Sequence, residues 1–121
     1  MEVLDAGHRY LLKSYDGGKE QELQFMKREG ARYPGNVGHC SGTNMQEVLR
    51  VLIHRTQYLN RQEYSAFNEV IVGHLRAALI ALEQRAAERH GLIFFPARTD
   101  IENIPTCPTC GHVVCRGHGG S

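Results

Sequence analysis

The chain has 121 residues, 14 Lys and Arg against 13 Asp and Glu, and a formal net charge of +1. That length suits one small domain, or a domain with an ordered tail, and leaves no room for two ordinary cores. Near-neutrality removes the overall positive field that holds polymeric nucleic acid or anionic lipid, no apolar run reaches a membrane span, and the N-terminus lacks a signal-peptide core, so a soluble, cytoplasmic protein is expected.

Apolar residues make up 41% of the chain and Trp is absent, which predicts a thin core. Eleven of the basic residues are Arg and three are Lys. Arg suits bidentate contact with phosphate or carboxylate, and it is also an ordinary helix former. Three zones follow one another: residues 1–42, which hold seven of the thirteen glycines, residues 43–91, which read as helix with one gap, and the loop-like residues 92–121.

The first zone predicts a short β-hairpin. Strand-like runs cover His8–Tyr15 and Glu20–Arg28, with Asp16-Gly17-Gly18 as the turn between them. Tyr10, Leu12, Leu23 and Phe25 give the alternating apolar face. A thirteen-residue loop, Gly30–Gly42, follows; it contains Asn36 and Cys40 and leads onto a helix N-terminus. Such a loop is either a flexible connector or the wall of a phosphate-bearing ligand site, with Lys27, Arg28 and Arg32 just upstream of its Gly35-Asn36-Val37-Gly38 turn. It is not a Walker A sequence, because no Gly-Lys-Ser/Thr follows. A small buried thiol is the expectation for Cys40.

The second zone predicts a long antiparallel αα-hairpin. Thr43 with Gln46 reads as a capping box, and Met45, Val48, Leu49, Leu52, Ile53, Thr56 and Leu59 keep helical spacing to about Asn60. After an interruption at Arg61–Ser65, the stripe from Phe67 through Val70, Ile71, Leu75, Leu79 and Leu82 to Ala86 carries a second helix that Gly91 should stop. Both stripes are wider than one partner helix covers, which points to self-association. The fold class expected is α+β, mainly α.

The third zone carries Cys107-Pro-Thr-Cys110-Gly-His112-Val-Val-Cys115-Arg-Gly-His118. Cys107 and Cys110 form one C-x2-C pair, and Cys115 with His118 forms a C-x2-H pair. Four soft ligands at these spacings suit structural, tetrahedral zinc, with His112 able to replace His118. A loose tail with free thiols is the plainer alternative. All four positions filled by protein leave no open site, so a catalytic metal, such as a cyclic-nucleotide hydrolase needs, is not expected. No Ser-His-Asp pattern, nucleophile elbow or paired-carboxylate motif is present, and His54 and His74 fall on helix faces. An enzyme is not expected.

On the helices, Tyr58 and Asn68 flank the hairpin tip. Arg85 lies seventeen residues beyond Asn68, about 25 Å along the helix. One chain cannot bring all three to a small ligand; an antiparallel partner chain could. They would then offer a stacking ring, an amide and a phosphate fork. The plain readings are a core rim, a first-turn polar residue and a solvated ion-pair partner of Glu83 or Glu88.

The hairpin Leu11–Arg28, the Tyr33-Pro-Gly-Asn36 loop, Thr43-Asn-Met-Gln-Glu-Val-Leu-Arg50 and the stretch Leu75-Arg76 through Glu83-Gln-Arg85-Ala-Ala resemble the small phage-encoded signal sponges that counter Thoeris defence, and their anti-CBASS sibling. The resemblance spans residues 8–91. It implies a short β element plus two long helices assembled as homodimers or homohexamers. It further implies tight binding, without cleavage, of a cyclic ADP-ribose isomer made by bacterial TIR-domain enzymes, some members also holding cyclic di- or trinucleotides at separate sites. Under the resemblance, Tyr58, Asn68 and Arg85 form the intersubunit pocket, and Arg76, Lys27, Arg28, Asn36 and Thr43 join the ligand-binding set. The Cys/His tail lies outside the resemblance. The alternative function is a small zinc-ribbon adaptor that binds protein or nucleic acid through that tail.

Overall fold

A computed structural model describes residues 1–28, 39–94, 100–108 and 112–113. The chain is α+β and mainly α, and it divides into two compact units, residues 1–45 and 46–121. The described residues of the expected tail zone from residue 92 fall in the unit that holds the helices. No described helix is long and apolar enough to cross a membrane.

The first unit holds a three-stranded antiparallel sheet rather than a two-stranded hairpin: β1 (Glu2–Asp5), β2 (Arg9–Leu12) and β3 (Gln21–Gln24), in that order. Tyr10 sits opposite Val3 on one side and Leu23 on the other, so the alternating apolar face is present but shorter than the sequence runs suggest. On the reverse face Arg9 meets Glu22 at 2.7 Å. Asp16 and Gly17 turn the chain with φ of 58° and 69°, left-handed values that suit a short polar side chain and glycine.

A second ladder pairs β4 (Lys27–Arg28) with β5 (His39–Cys40). Beside it the backbone closes tightly: Thr43 N–H donates to the Gln24 carbonyl and Met26 N–H to the Thr43 carbonyl, both at 2.9 Å. Gly42 lies inside this clamp, where a Cβ would stand 2.5 Å from the Phe25 carbonyl carbon and 2.6 Å from Met26 N. Thr43 is thus a backbone clamp and not a helix cap. The helix starts at Met45, which puts Asn44 at the N-cap position.

The second unit is the helical hairpin of α1 (Met45–Gln62) and α2 (Ala66–Arg89); the division between units falls after the first residue of α1. Ser65 caps α2, its hydroxyl accepting from Phe67 N–H. At the other end Gly91 takes φ 69°, Gly91 N–H returns to the Glu88 carbonyl and Leu92 N–H to that of Ala87, the paired bonds of a Schellman stop. Asn60 ties the tip: its Oδ1 accepts from Ser65 N–H and Asn68 Nδ2, and its Nδ2 donates to Glu69. Links such as Arg50–Glu83 near one end and Asn60–Asn68 at the other fix the antiparallel sense.

Ile53, Val72, Leu79 and Ile101 are the buried centre, with Leu49, Leu75, Ile80, Phe94, Ile104 and Val113 packed around them. Ile101 belongs to the 3-10 turn Ile101–Asn103, so the segment after the helices is a third layer of the core.

Replacing Gly42 with Ala forces the 24–26 and 42–43 backbones apart. An overpacking cost of about 2 kcal/mol is expected, read as a lower urea midpoint with the helical signal at 222 nm retained at low urea.

Candidate functional site

Two polar residues on the inner side of α2 determine where the following chain lies. Arg76 Nε and Nη2 donate to the two Glu102 oxygens at 2.8 and 2.6 Å, a bidentate fork that fixes the 3-10 turn. Burial pushes the Glu102 carboxyl up, but the Arg76 hydrogen bonds and charge outweigh it, and the net displacement is downward. About two turns further along α2, Glu83 is wholly buried. Its Oε2 accepts from Val113 N–H at 2.9 Å, and Arg50 Nη2 approaches its Oε1 at 3.4 Å.

Against this frame α1 and the 3-10 turn enclose an open groove of about 490 Å3, within the size range of small-molecule sites. Glu47, Arg50, Val51, His54, Arg55 and Tyr58 come from α1 at spacings of three and four residues, and Glu102 and Asn103 form the opposite wall. Arg55 and His54 precede Tyr58 by three and four positions, which makes both its neighbours on the helix surface. Among the described residues neither Arg55 nor His54 has an ion-pair partner. Arg50 reaches Glu47 and Glu83 only at 3.4 Å each, and its buried Nε has no hydrogen-bond acceptor among the described residues. The groove therefore offers one half-exposed aromatic ring, one uncommitted guanidinium, an imidazole and a loosely held second guanidinium. Among the described residues it shows no nucleophile with a positioned base.

Of the ligand-binding residues expected from the sequence, Tyr58 alone lines this groove. Asn68 is occupied at the tip by Asn60, Arg76 by Glu102, and Arg85 is exposed on α2 near its far end. Within one chain Tyr58, Asn68 and Arg85 do not meet. Lys27 and Arg28 contribute backbone to β4 and Thr43 contributes its clamp. Asn36 and the side chains of Lys27, Arg28 and Cys40 lie outside the described residues.

Cys110, Cys115 and His118 also lie outside the described residues, and among those described no group of three His, Cys, Asp or Glu could hold a metal. Cys107 N–H donates to the His112 carbonyl at 2.9 Å, which brings the backbones of these two residues together. His112 Nδ1 lies 3.0 Å from Gln46 Nε2 and 3.8 Å from Glu83. Burial lowers its pKa despite the opposing pull of Glu83.

Sequence reasoning missed Gln46, His54, Arg55, Glu83 and Glu102. Glu83 had a readable signal: it follows Val72, Arg76 and Leu79 at helical spacing on the stripe that ends at Ala86, the buried side of α2. Searches of known protein families, characterised proteins and solved structures find no match to this chain.

The folded Glu102 carboxyl binds its proton less readily than the unfolded one. The unfolded chain thus takes up that proton first as pH falls below about 4.5, and the stability from this pair is present above that pH and lost beneath it. Glu102→Gln should cost about 2 kcal/mol at pH 7, and urea titrations should show the gap from the parent protein closing as pH falls through and below 4.

Proposed function

We propose that this protein is a signal sponge. It binds a cyclic ADP-ribose isomer made by bacterial TIR-domain enzymes and sequesters it intact in the host cytoplasm, so that the downstream Thoeris effector is not triggered. The observation that carries the reading is the α1 groove, where Tyr58 stands beside Arg55 and His54. A base needs a flat π-face to stack on, and a phosphate needs a donor not already spent on a carboxylate. Tyr58 supplies the first and Arg55 the second. The resemblance of residues 8–91 to the sponge family supports the ligand class, and that family's separate sites for cyclic di- and trinucleotides extend it.

Sequestration requires no chemistry of the groove residues. Asn68 and Arg85 enter the site only from a second copy of the chain, so the active form is a homo-oligomer. The tail holds structural zinc through Cys107, Cys110, Cys115 and His118. Engagement of His112 Nδ1 by Gln46 supports His118 over His112 as the fourth ligand.

Cyclic ADP-ribose isomers should raise the melting temperature of the full chain saturably, and the ligand should be recovered unchanged after heat denaturation. Tyr58→Ala should weaken binding about tenfold or more, the stacking contribution of one base, with the unliganded melting temperature little altered because the ring is half exposed. Absence of a shift with every isomer and every cyclic di- or trinucleotide would exclude the sponge.

A further inference from the structure

Arg50 enters the α1 groove with most of its donors unused. Its side chain is 12% exposed. Nη1 donates to Glu47 and Nη2 to Glu83, each at 3.4 Å, and the buried Nε has no acceptor among the described residues. Charge-assisted bonds from a guanidinium ordinarily close to about 2.8 Å, as those of Arg76 on Glu102 do at 2.8 and 2.6 Å. An arginine carries five N–H donors, so two long contacts leave this fork far from satisfied.

The helix sets where Arg50 stands relative to the other donors. At about 100° per residue, Arg50 and Arg55 fall on opposite edges of the strip of α1 that lines the groove. They are about 7.5 Å apart along the axis, with Val51 and His54 between them. Tyr58 follows Arg55 by about one turn toward the hairpin tip. From the tip inward the strip thus presents a ring, then Arg55 with His54, then Arg50. That is the order of a base, a first phosphate and a second.

We propose that Arg50 is a second phosphate-binding residue of this groove, which therefore selects a nucleotide with two linked phosphates, the first on Arg55 and the second on Arg50. The inference rests on the nucleotide reading of the groove and adds the phosphate count and the direction in which the ligand lies.

The two acids that touch Arg50 have different parts in this. Glu83 is buried, also accepts from Val113 N–H, and anchors the guanidinium through Nη2. Glu47 lines the groove and its side chain is 60% exposed, so it occupies the place of an anion that water can take back. A phosphate oxygen exchanges for Glu47 on Nη1 while Nη2 stays on Glu83, and the buried carboxylate keeps its counter-charge throughout. Glu102, on the opposite wall, does not compete for Arg50 or Arg55, because Arg76 grips both its oxygens. A single phosphate beside Tyr58 is satisfied by Arg55 and leaves Arg50 on Glu47. Only a second, linked phosphate extends far enough along α1 to displace that carboxylate.

Calorimetric titration of the full chain with AMP and with ADP tests the assignment. ADP should bind about tenfold more tightly than AMP, the worth of one added charge-assisted contact. Glu47→Gln, at an exposed position, should tighten ADP about threefold and leave AMP unchanged. Arg50→Gln, whose amide still donates to Glu83, should reduce the ADP preference to about threefold or less with AMP affinity retained. A merely structural loss would weaken both nucleotides alike. No binding of ADP, equal affinities of the parent chain for the two nucleotides, or a preference that either substitution leaves unchanged overturns the role of Arg50. The sponge fails separately: a melting shift with a cyclic ADP-ribose isomer but no ADP preference rejects Arg50 alone, and an ADP preference without any such shift rejects the sponge alone.

Discussion

A buried carboxylate on α2 holds the second unit together. Glu83 is fully removed from water, and an isolated charge there would cost several kcal/mol. The fold accommodates it by bringing Arg50 from α1 and the Val113 backbone N–H from the C-terminal segment to its two oxygens. Three stretches of chain thus share one charge, and none can leave without stranding a partner in the interior. Arg50 is the long contact of the set, split between Glu83 and Glu47 at equal distance. It also lines the groove, so the element that closes the core is also the one whose donors remain underused at the site.

The second constraint acts about two turns away along α2. Glu102, gripped by Arg76 and touched by Gln57, carries the wall of the groove on a segment with three residues of regular structure among those described. Ile101 is buried beside Ile53 and Leu79, which anchors the wall from beneath. The groove is therefore not a feature of α1 alone. The sequence signature of the tail lies in its cysteines, yet the described part of that tail serves the hairpin through Ile101, Glu102, Ile104 and Val113.

What was readable in the sequence follows from the range of each interaction. The helices and the stop of the second were legible, because apolar spacing and Gly91 act within a few residues of themselves, whereas Ser65 read only as part of an interruption and proved to be the cap of α2. β1 was not: Glu2-Val3-Leu4-Asp5 has two apolar residues and no alternation, and it is a strand because β2 offers a free edge. Gln46, Arg76 and Glu83 look like surface residues by type. They sit on the inner stripes because their partners, His112, Glu102 and Val113, arrive from a distant segment that has no periodicity to announce it. Thr43 misled for the opposite reason, since a capping motif one residue early is indistinguishable from a true one until the backbone of β3 is present. Tyr58 was legible as a ring near the hairpin tip and it lines the groove, whereas its neighbours His54 and Arg55 gained meaning only once the opposite wall was in view.

Eleven arginines in a chain of net charge +1 suggested a reserve of phosphate donors. Arg76 is spent on Glu102, Arg9 on Glu22 and Arg50 on two carboxylates at once, all of them holding structure. That leaves Arg55 as the uncommitted guanidinium of the groove. Within the groove the donor set is one free fork beside one ring and one imidazole. The donors that the groove has to spare thus depend on how the acids are placed and not on the overall charge, because each buried carboxylate engages an arginine that composition alone would have counted as available.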